Sequence, residues 1–174
     1  MKKMIMIPAL AGVLALSGVA MTGNTVEAST NGFIAMEKAR AIAVKSVGGN
    51  VTDIELKRKK SGGTYEVEVQ SKGYEYELVI HAKTGKILSK DKDDLDDLDD
   101  DDVIKFNKKF ITAAAAEKIA LKKAKGTVVK VALENDDNRV IYEIEIESNT
   151  NEYDFDIDAL SGKILDFDKD KKDD

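Results

Sequence analysis

The sequence predicts an α+β fold of two tandem repeats, each one helix packed on an antiparallel sheet of three to four strands. Three observations carry this reading. Apolar and acidic residues alternate through Tyr65-Glu66-Val67-Glu68-Val69 and Tyr74-Glu75-Tyr76-Glu77-Leu78-Val79-Ile80, the period of a half-buried strand. The alternation returns in Tyr142-Glu143-Ile144-Glu145-Ile146 and Glu152-Tyr153-Asp154-Phe155-Asp156-Ile157. The register between the copies is constant: residues 33–90 align with 110–167 without a gap, 77 positions apart. Phe33/Phe110, Ala39/Ala116, Ile42/Ile119, Gly49/Gly126, Leu56/Leu133, Tyr65/Tyr142, Tyr76/Tyr153 and Gly85/Gly162 are identical pairs. Two copies of this length indicate a duplicated domain rather than a solenoid.

Each repeat opens with a helix. Ala35, Ala39, Ile42, Ala43 and Val47 fall on one helical face, as do Ala116, Ile119, Ala120 and Ala124. Thr112 is placed to cap the second helix, and Gly49 and Gly126 are placed to stop each helix. The stripe is mostly small side chains, which lets a helix lie close to a sheet. A first strand is expected at Val51–Lys59 and at Thr127–Asn135, with hairpin loops at Lys60-Ser61-Gly62-Gly63 and Asp136-Asp137-Asn138-Arg139. The second and third strands are the alternating stretches, with Tyr76 and Tyr153 expected to be buried beneath the helix. Gly85 and Gly162 sit where the last turn needs positive φ, and a short fourth strand ends at Leu88 or Leu165.

The N-terminus reads as a targeting segment. Lys2 and Lys3 precede an apolar run from Met4 to Met21, and Val26-Glu27-Ala28 places small residues where a signal peptidase reads. Residues 1–28 are therefore expected to be a signal peptide cleaved before Ser29, with retention as an anchor as the alternative. The chain has no Cys, so it carries no lipobox, disulfide framework, thiol nucleophile or thiolate metal site. Without residues 1–28 it holds 25 Lys/Arg and 32 Asp/Glu, a net charge of −7. An acidic secreted chain is poorly suited to nucleic acid or an anionic membrane.

The sequence divides into repeat 1 at 32–90, an acidic linker at 91–107, repeat 2 at 108–168 and a charged tail at 169–174. Asp91 to Asp102 is nearly all Asp and reads as a solvated linker. Residues 33–90 hold eleven Lys/Arg against seven Asp/Glu, a net of +4, whereas residues 110–167 hold seven against twelve, a net of −5. Copies of one fold with opposite charge could dock on each other or associate between chains.

The order helix, glycine stop, strand, Tyr-x-Val-x-Val, aromatic-alternating strand and Asp158-Ala159-Leu160-Ser161-Gly162-Lys163-Ile164-Leu165 resembles the PepSY domain. His81 stands where the first copy would carry the turn Asp. The resemblance implies a binding or inhibitory module found in propeptides of thermolysin-type secreted peptidases and in exported bacterial envelope proteins, with no shared catalytic residues.

The residues themselves point the same way. A zinc-protease helix needs two His on one face, and this chain has one His, His81, which reads as a solvent-exposed residue. No Gly-x-Ser-x-Gly elbow and no phosphate-binding glycine loop is present. No cofactor is expected. If Tyr153, Phe155 and Ile157 point inward, the acids between them point to water. Glu143, Glu145, Glu147, Glu152, Asp154 and Asp156 are therefore the candidates for partner binding. No defined metal site is expected; Asp154, Asp156 and Asp158 are only weak candidates for a metal contact, beside weak binding by the Asp-rich linker. Asp166-x-Asp168-x-Asp170 resembles part of a calcium loop but has Lys171 where the turn glycine belongs. Two functions follow: a secreted non-enzymatic module that binds or inhibits a secreted peptidase or envelope protein, or an envelope-associated binder of cations or cationic partners using the acidic face and linker.

Overall fold

A computed structural model describes residues 32–59, 62–97, 103–136 and 139–172. The expected signal peptide, the tips of both first hairpins at 60–61 and 137–138, linker residues 98–102 and tail residues 173–174 lie outside the described residues.

The first repeat runs α1 (Met36–Val47), β1 (Asn50–Lys59), β2 (Gly62–Ser71), β3 (Tyr74–His81) and β4 (Ile87–Asp94). The second runs α2 (Ala113–Lys123), β5 (Thr127–Asp136), β6 (Arg139–Glu147), β7 (Asn151–Asp158) and β8 (Ile164–Lys171). Each repeat is thus one helix and a four-stranded antiparallel meander. The two sheets do not stay separate. They join edge to edge into one eight-stranded sheet of order β4-β3-β2-β1-β5-β6-β7-β8. At the seam β1 and β5 pair antiparallel, with Asp53 opposite Ala132, Ile54 opposite Val131 and Glu55 opposite Lys130. Ile54 and Val131 are equivalent positions, so a pseudo-twofold axis passes between them.

Small side chains let the helices sit close to the sheet. Ala39, Ala43, Ala116 and Ala120 are buried and meet Ile54, Val67, Val69, Leu78 and Ile80, or Ile144, Ile146, Phe155 and Ile157. Thr112 caps α2 as expected, its hydroxyl accepting from the Ala115 N–H at 3.2 Å. The glycine expectation needs a correction. Gly48 caps α1 with φ 75° and Gly49 follows with φ 83°, but α2 is capped by Ala124 and Gly126 has no such φ. What 49 and 126 share is crowding: a Cβ would lie 2.3 Å from the Gln70 carbonyl oxygen at Gly49 and 2.3 Å from that of Glu147 at Gly126. The chain leaving each helix passes against the end of the second strand, and only glycine leaves room.

The deepest aromatics are Tyr65 and Tyr142, not Tyr76 and Tyr153, which are half-buried nearer the outer strands. Tyr65 donates its hydroxyl proton to the Ile34 carbonyl at 2.7 Å, and Tyr142 donates to that of Ile111 at 2.8 Å. The same segments donate backward, Ile34 N–H to Ala82 and Ile111 N–H to Ala159. Each helix entry is clamped between a strand tyrosine and the last turn. Tyr153 finds its cover in Phe167 of β8, stacked at 6.3 Å between ring centres.

The acidic stretch expected to be linker begins inside the sheet. β4 carries the chain to Asp94 and a 3₁₀ turn spans Leu95–Asp97. Strand pairing wins over repulsion here because β3 lies beside it and Lys92 stands 3.3 Å over the Tyr74 ring. The connector is then gripped at one peptide: the Val103 carbonyl accepts from Asn135 Nδ2 and the Ile104 N–H donates to Gln70 Oε1, both at 3.2 Å.

Tyr142→Phe should cost about 1 kcal/mol in a urea melt by removing one internal hydrogen bond, and Tyr142→Ala roughly 3–5 kcal/mol. A Tyr142→Phe variant as stable as the parent would contradict the clamp.

Candidate functional site

Helices cover one face of the sheet, and the other face carries the acids. Alternation along each strand sends Ile54 and Leu56 toward the helices and Asp53 and Glu55 away from them. Followed across the strands, one row reads Asp91, Glu77, Glu68, Asp53, Ala132, Glu143, Asp156 and Asp166. Seven of these eight side chains are carboxylates, on strands spaced about 4.8 Å apart. The next row reads Ser89, Val79, Glu66, Glu55, Lys130, Glu145, Asp154 and Asp168. A third row in the second repeat sets Glu147, Glu152 and Asp170 side by side.

Like charges this close are destabilising when directly opposite. Lys130 is the local counter-charge. Its ammonium lies 2.9 Å from Glu143 and 4.0 Å from Glu134. Burial alone would push its pKa down, but the Glu143 hydrogen bond and the nearby Glu143, Asp53 and Glu134 charges hold it above its ordinary value. Asp53, beside the seam, is pushed up to about 7, first by burial and then by Glu68, with Lys130 opposing. Glu145, Asp154 and Asp156 are raised as well, in each case first by burial and then by neighbouring acids such as Glu143.

The expected partner-binding acids therefore share one face, but they do not all stand free in water. Glu152 is exposed; Glu143, Glu145, Glu147, Asp154 and Asp156 are half-buried because their neighbours on adjoining strands pack against them. Glu147 also takes Arg58 from across the seam and Lys172 at 2.9 Å, at the edge of a shallow depression of about 510 Å³. Asp158 is used in a turn, accepting from the Ser161 N–H at 2.7 Å and its hydroxyl at 2.5 Å, and these bonds hold its pKa below the usual range. Among the described residues no three acidic or His side chains converge as metal ligands.

His81 is half-buried rather than free in solvent. Its Nδ1 accepts from the N–H groups of Lys83 and Thr84 at 3.2 and 3.3 Å. The imidazole thus does in the first repeat what the Asp158 carboxylate does in the second, and the departure from the turn motif leaves the turn intact.

Residues 34–91 and 110–168 match the family described as "Peptidase propeptide and YPEB domain", PepSY. The chain belongs to the PepSY family. It is 32% identical over 173 residues to the "Uncharacterized protein YkoJ" of Bacillus subtilis (strain 168), covering 95% of this chain and 96% of that one. It is also similar to the crystal structure of a Clostridium difficile 630 protein designated "putative lipoprotein (CD1622)". That likeness has a TM-score of 0.50 and 27% identity, over 79% of this chain and 95% of the other.

Each PepSY match covers one helix-and-meander unit from before its helix into its last strand, β4 or β8, so the family pattern accounts for most of each unit. Two groups at the seam lie outside what pattern reading picked out: Asp53 with Lys130, and Arg40 of α1 with Glu117 of α2. Both pairs stand 77 positions apart with opposite charges, and that is the signal by which they could have been found.

Asp53 makes the face sensitive to pH. An unfolded chain releases this proton near 3.8, the folded chain near 7. Ionisation therefore costs stability that is lost progressively as pH rises through that window. Asp53→Asn should match the parent near pH 4 and exceed it by roughly 2–4 kcal/mol above about pH 8. Denaturant melts at both pH values check this, and a gain independent of pH would contradict it.

Proposed function

We propose that this PepSY protein is an exported, non-enzymatic binding module that engages, and restrains, a secreted peptidase or another envelope protein. The observation that carries the reading is the double match to a family described by its peptidase propeptides, over both structural units. The basic, apolar N-terminal segment fits export. The lipoprotein designation of the C. difficile relative fits an envelope setting. No helix among the described residues is long and apolar enough to cross a membrane. The chemistry of the side chains fits binding better than catalysis: the one His is committed to a turn, and the carboxylates form a continuous row rather than a facing pair in a cleft.

A second reading rests on that row. A sheet face with seven carboxylates in one line attracts a cationic partner, and such attraction is screened over roughly 8–10 Å at physiological salt. In this reading Glu143, Glu145, Glu147, Glu152, Asp154 and Asp156 carry the contact.

The two readings separate in one experiment. Residues 29–174 are titrated into a thermolysin-type secreted peptidase, and peptide hydrolysis is followed at low and physiological salt. Inhibition that is insensitive to salt, and kept by Glu145→Gln/Asp154→Asn/Asp156→Asn, is the result expected of the first reading. Inhibition lost in that variant would move the contact to the acidic face. No inhibition and no co-elution with the peptidase would remove the peptidase from the account.

A further inference from the structure

We propose that the seam between the repeats is a recognition surface with a charge code. It accepts a first-type repeat against a second-type repeat and refuses two of the same kind. The inference concerns how the repeats choose each other and does not depend on the binding function proposed above.

Three sets of equivalent positions meet at the pseudo-twofold axis, and the sequence breaks the symmetry at each. On the helix side Arg40 meets its own equivalent, Glu117, at 2.9 Å, with side chains 13% and 14% exposed. Burial raises the Glu117 pKa, and Arg40 opposes the shift. In the strands Glu55 lies opposite Lys130, whereas the symmetry-related pair is Asp53 opposite the neutral Ala132. At the seam's ends, Arg58 is bound to Glu147 at one. At the other, the equivalent positions are Asn135 and Gln70, and these two amides hold the Val103–Ile104 peptide between them.

Pairing like repeats undoes each arrangement. Two first-type repeats would set Arg40 against Arg40 in a mostly buried site and place Asp53 opposite Glu55 twice. Arg58 would face Gln70 at both ends. Two second-type repeats would set Glu117 against Glu117 and Lys130 opposite Ala132 twice, and Glu147 would lose its guanidinium. Arg40 would keep Glu37, 2.7 Å away on its own helix, but face a second guanidinium, and Glu117 would exchange Arg40 for a second carboxylate. Like charges forced together in a mostly buried site are strongly unfavourable, so selection comes from what like pairing would bury as much as from what the native pairing gains. The surface of repeat 1 therefore fits one kind of partner. That partner is a PepSY-type repeat with a carboxylate at the position of Glu117 and cationic or neutral groups at those of Lys130 and Ala132. The second repeat of this chain is that partner.

Single substitutions in the full chain reproduce the forbidden contacts. Arg40→Glu creates the acid–acid contact of two second-type repeats, and Glu117→Arg the guanidinium–guanidinium contact of two first-type repeats. The double variant restores a pair of opposite sign. Hydrogen exchange across residues 53–55 and 130–132 reads the seam through the amides that point across it, the alternate N–H groups being turned to β2 or β6. We expect exchange to rise about tenfold or more in each single variant and to return close to the parent rate in Arg40→Glu/Glu117→Arg. Losses that merely add in the double variant would overturn the proposal. So would single variants whose seam amides exchange as slowly as the parent's.

Discussion

The pairing of β1 with β5 is the constraint on which this molecule depends. Each PepSY unit alone is about 60 residues, near the size at which a single core becomes marginal. Each would also leave β1 or β5 as an unpaired edge. Joining those edges satisfies both ladders and makes the two apolar layers continuous: Ile54 and Val131 meet at the axis and both belong to one core. The remaining edges, β4 and β8, are dressed with charge, Lys90, Asp91, Lys92 and Asp93 on one and Asp168, Lys169, Asp170 and Lys171 on the other. Charged edges of this kind discourage further strand addition.

The same pairing creates the acidic face. Neither unit alone would carry a row eight strands wide. Fusion aligns the carboxylates of the first repeat with those of the second, and it sets Asp53, already beside Glu68 and Glu55 of its own repeat, against Glu134 and the counter-charge Lys130 of the other. Half-burial and crowding by neighbouring acids explain the raised pKa values there. A surface held in this state is costly to keep, which is why its acids are of interest as a contact region as well as a solubility device.

Much of the unit architecture could be read from the chain. Alternation around Tyr65 and Tyr142, the alanine stripe and the Thr112 cap all reflect local geometry with a fixed period, so they are visible in one dimension. Depth was less visible: Tyr65 and Tyr76 both stand at inward positions of the alternation, and only the position of the helix over the sheet decides which is more buried. Gly126 was legible as necessary but not for the right reason, since crowding by the Glu147 backbone has no local signature. The opposite charges of the repeats allowed them to dock, but the strand pairing at the seam was not legible. Periodicity says which face of a strand is apolar but not which edge is paired, so separate sheets and one fused sheet give the same pattern. The acids of the candidate face could be named, but their row across the strands could not, because it exists only once β1 and β5 are in register.

The central claim is that the two PepSY units form one continuous sheet through β1 and β5. Cross-strand backbone NOEs in the full chain test it most directly. The account predicts NOEs linking residues 53–55 with 130–132 in the antiparallel register centred on Ile54 and Val131. A complete set of NOEs within each repeat, with none between β1 and β5, would contradict it.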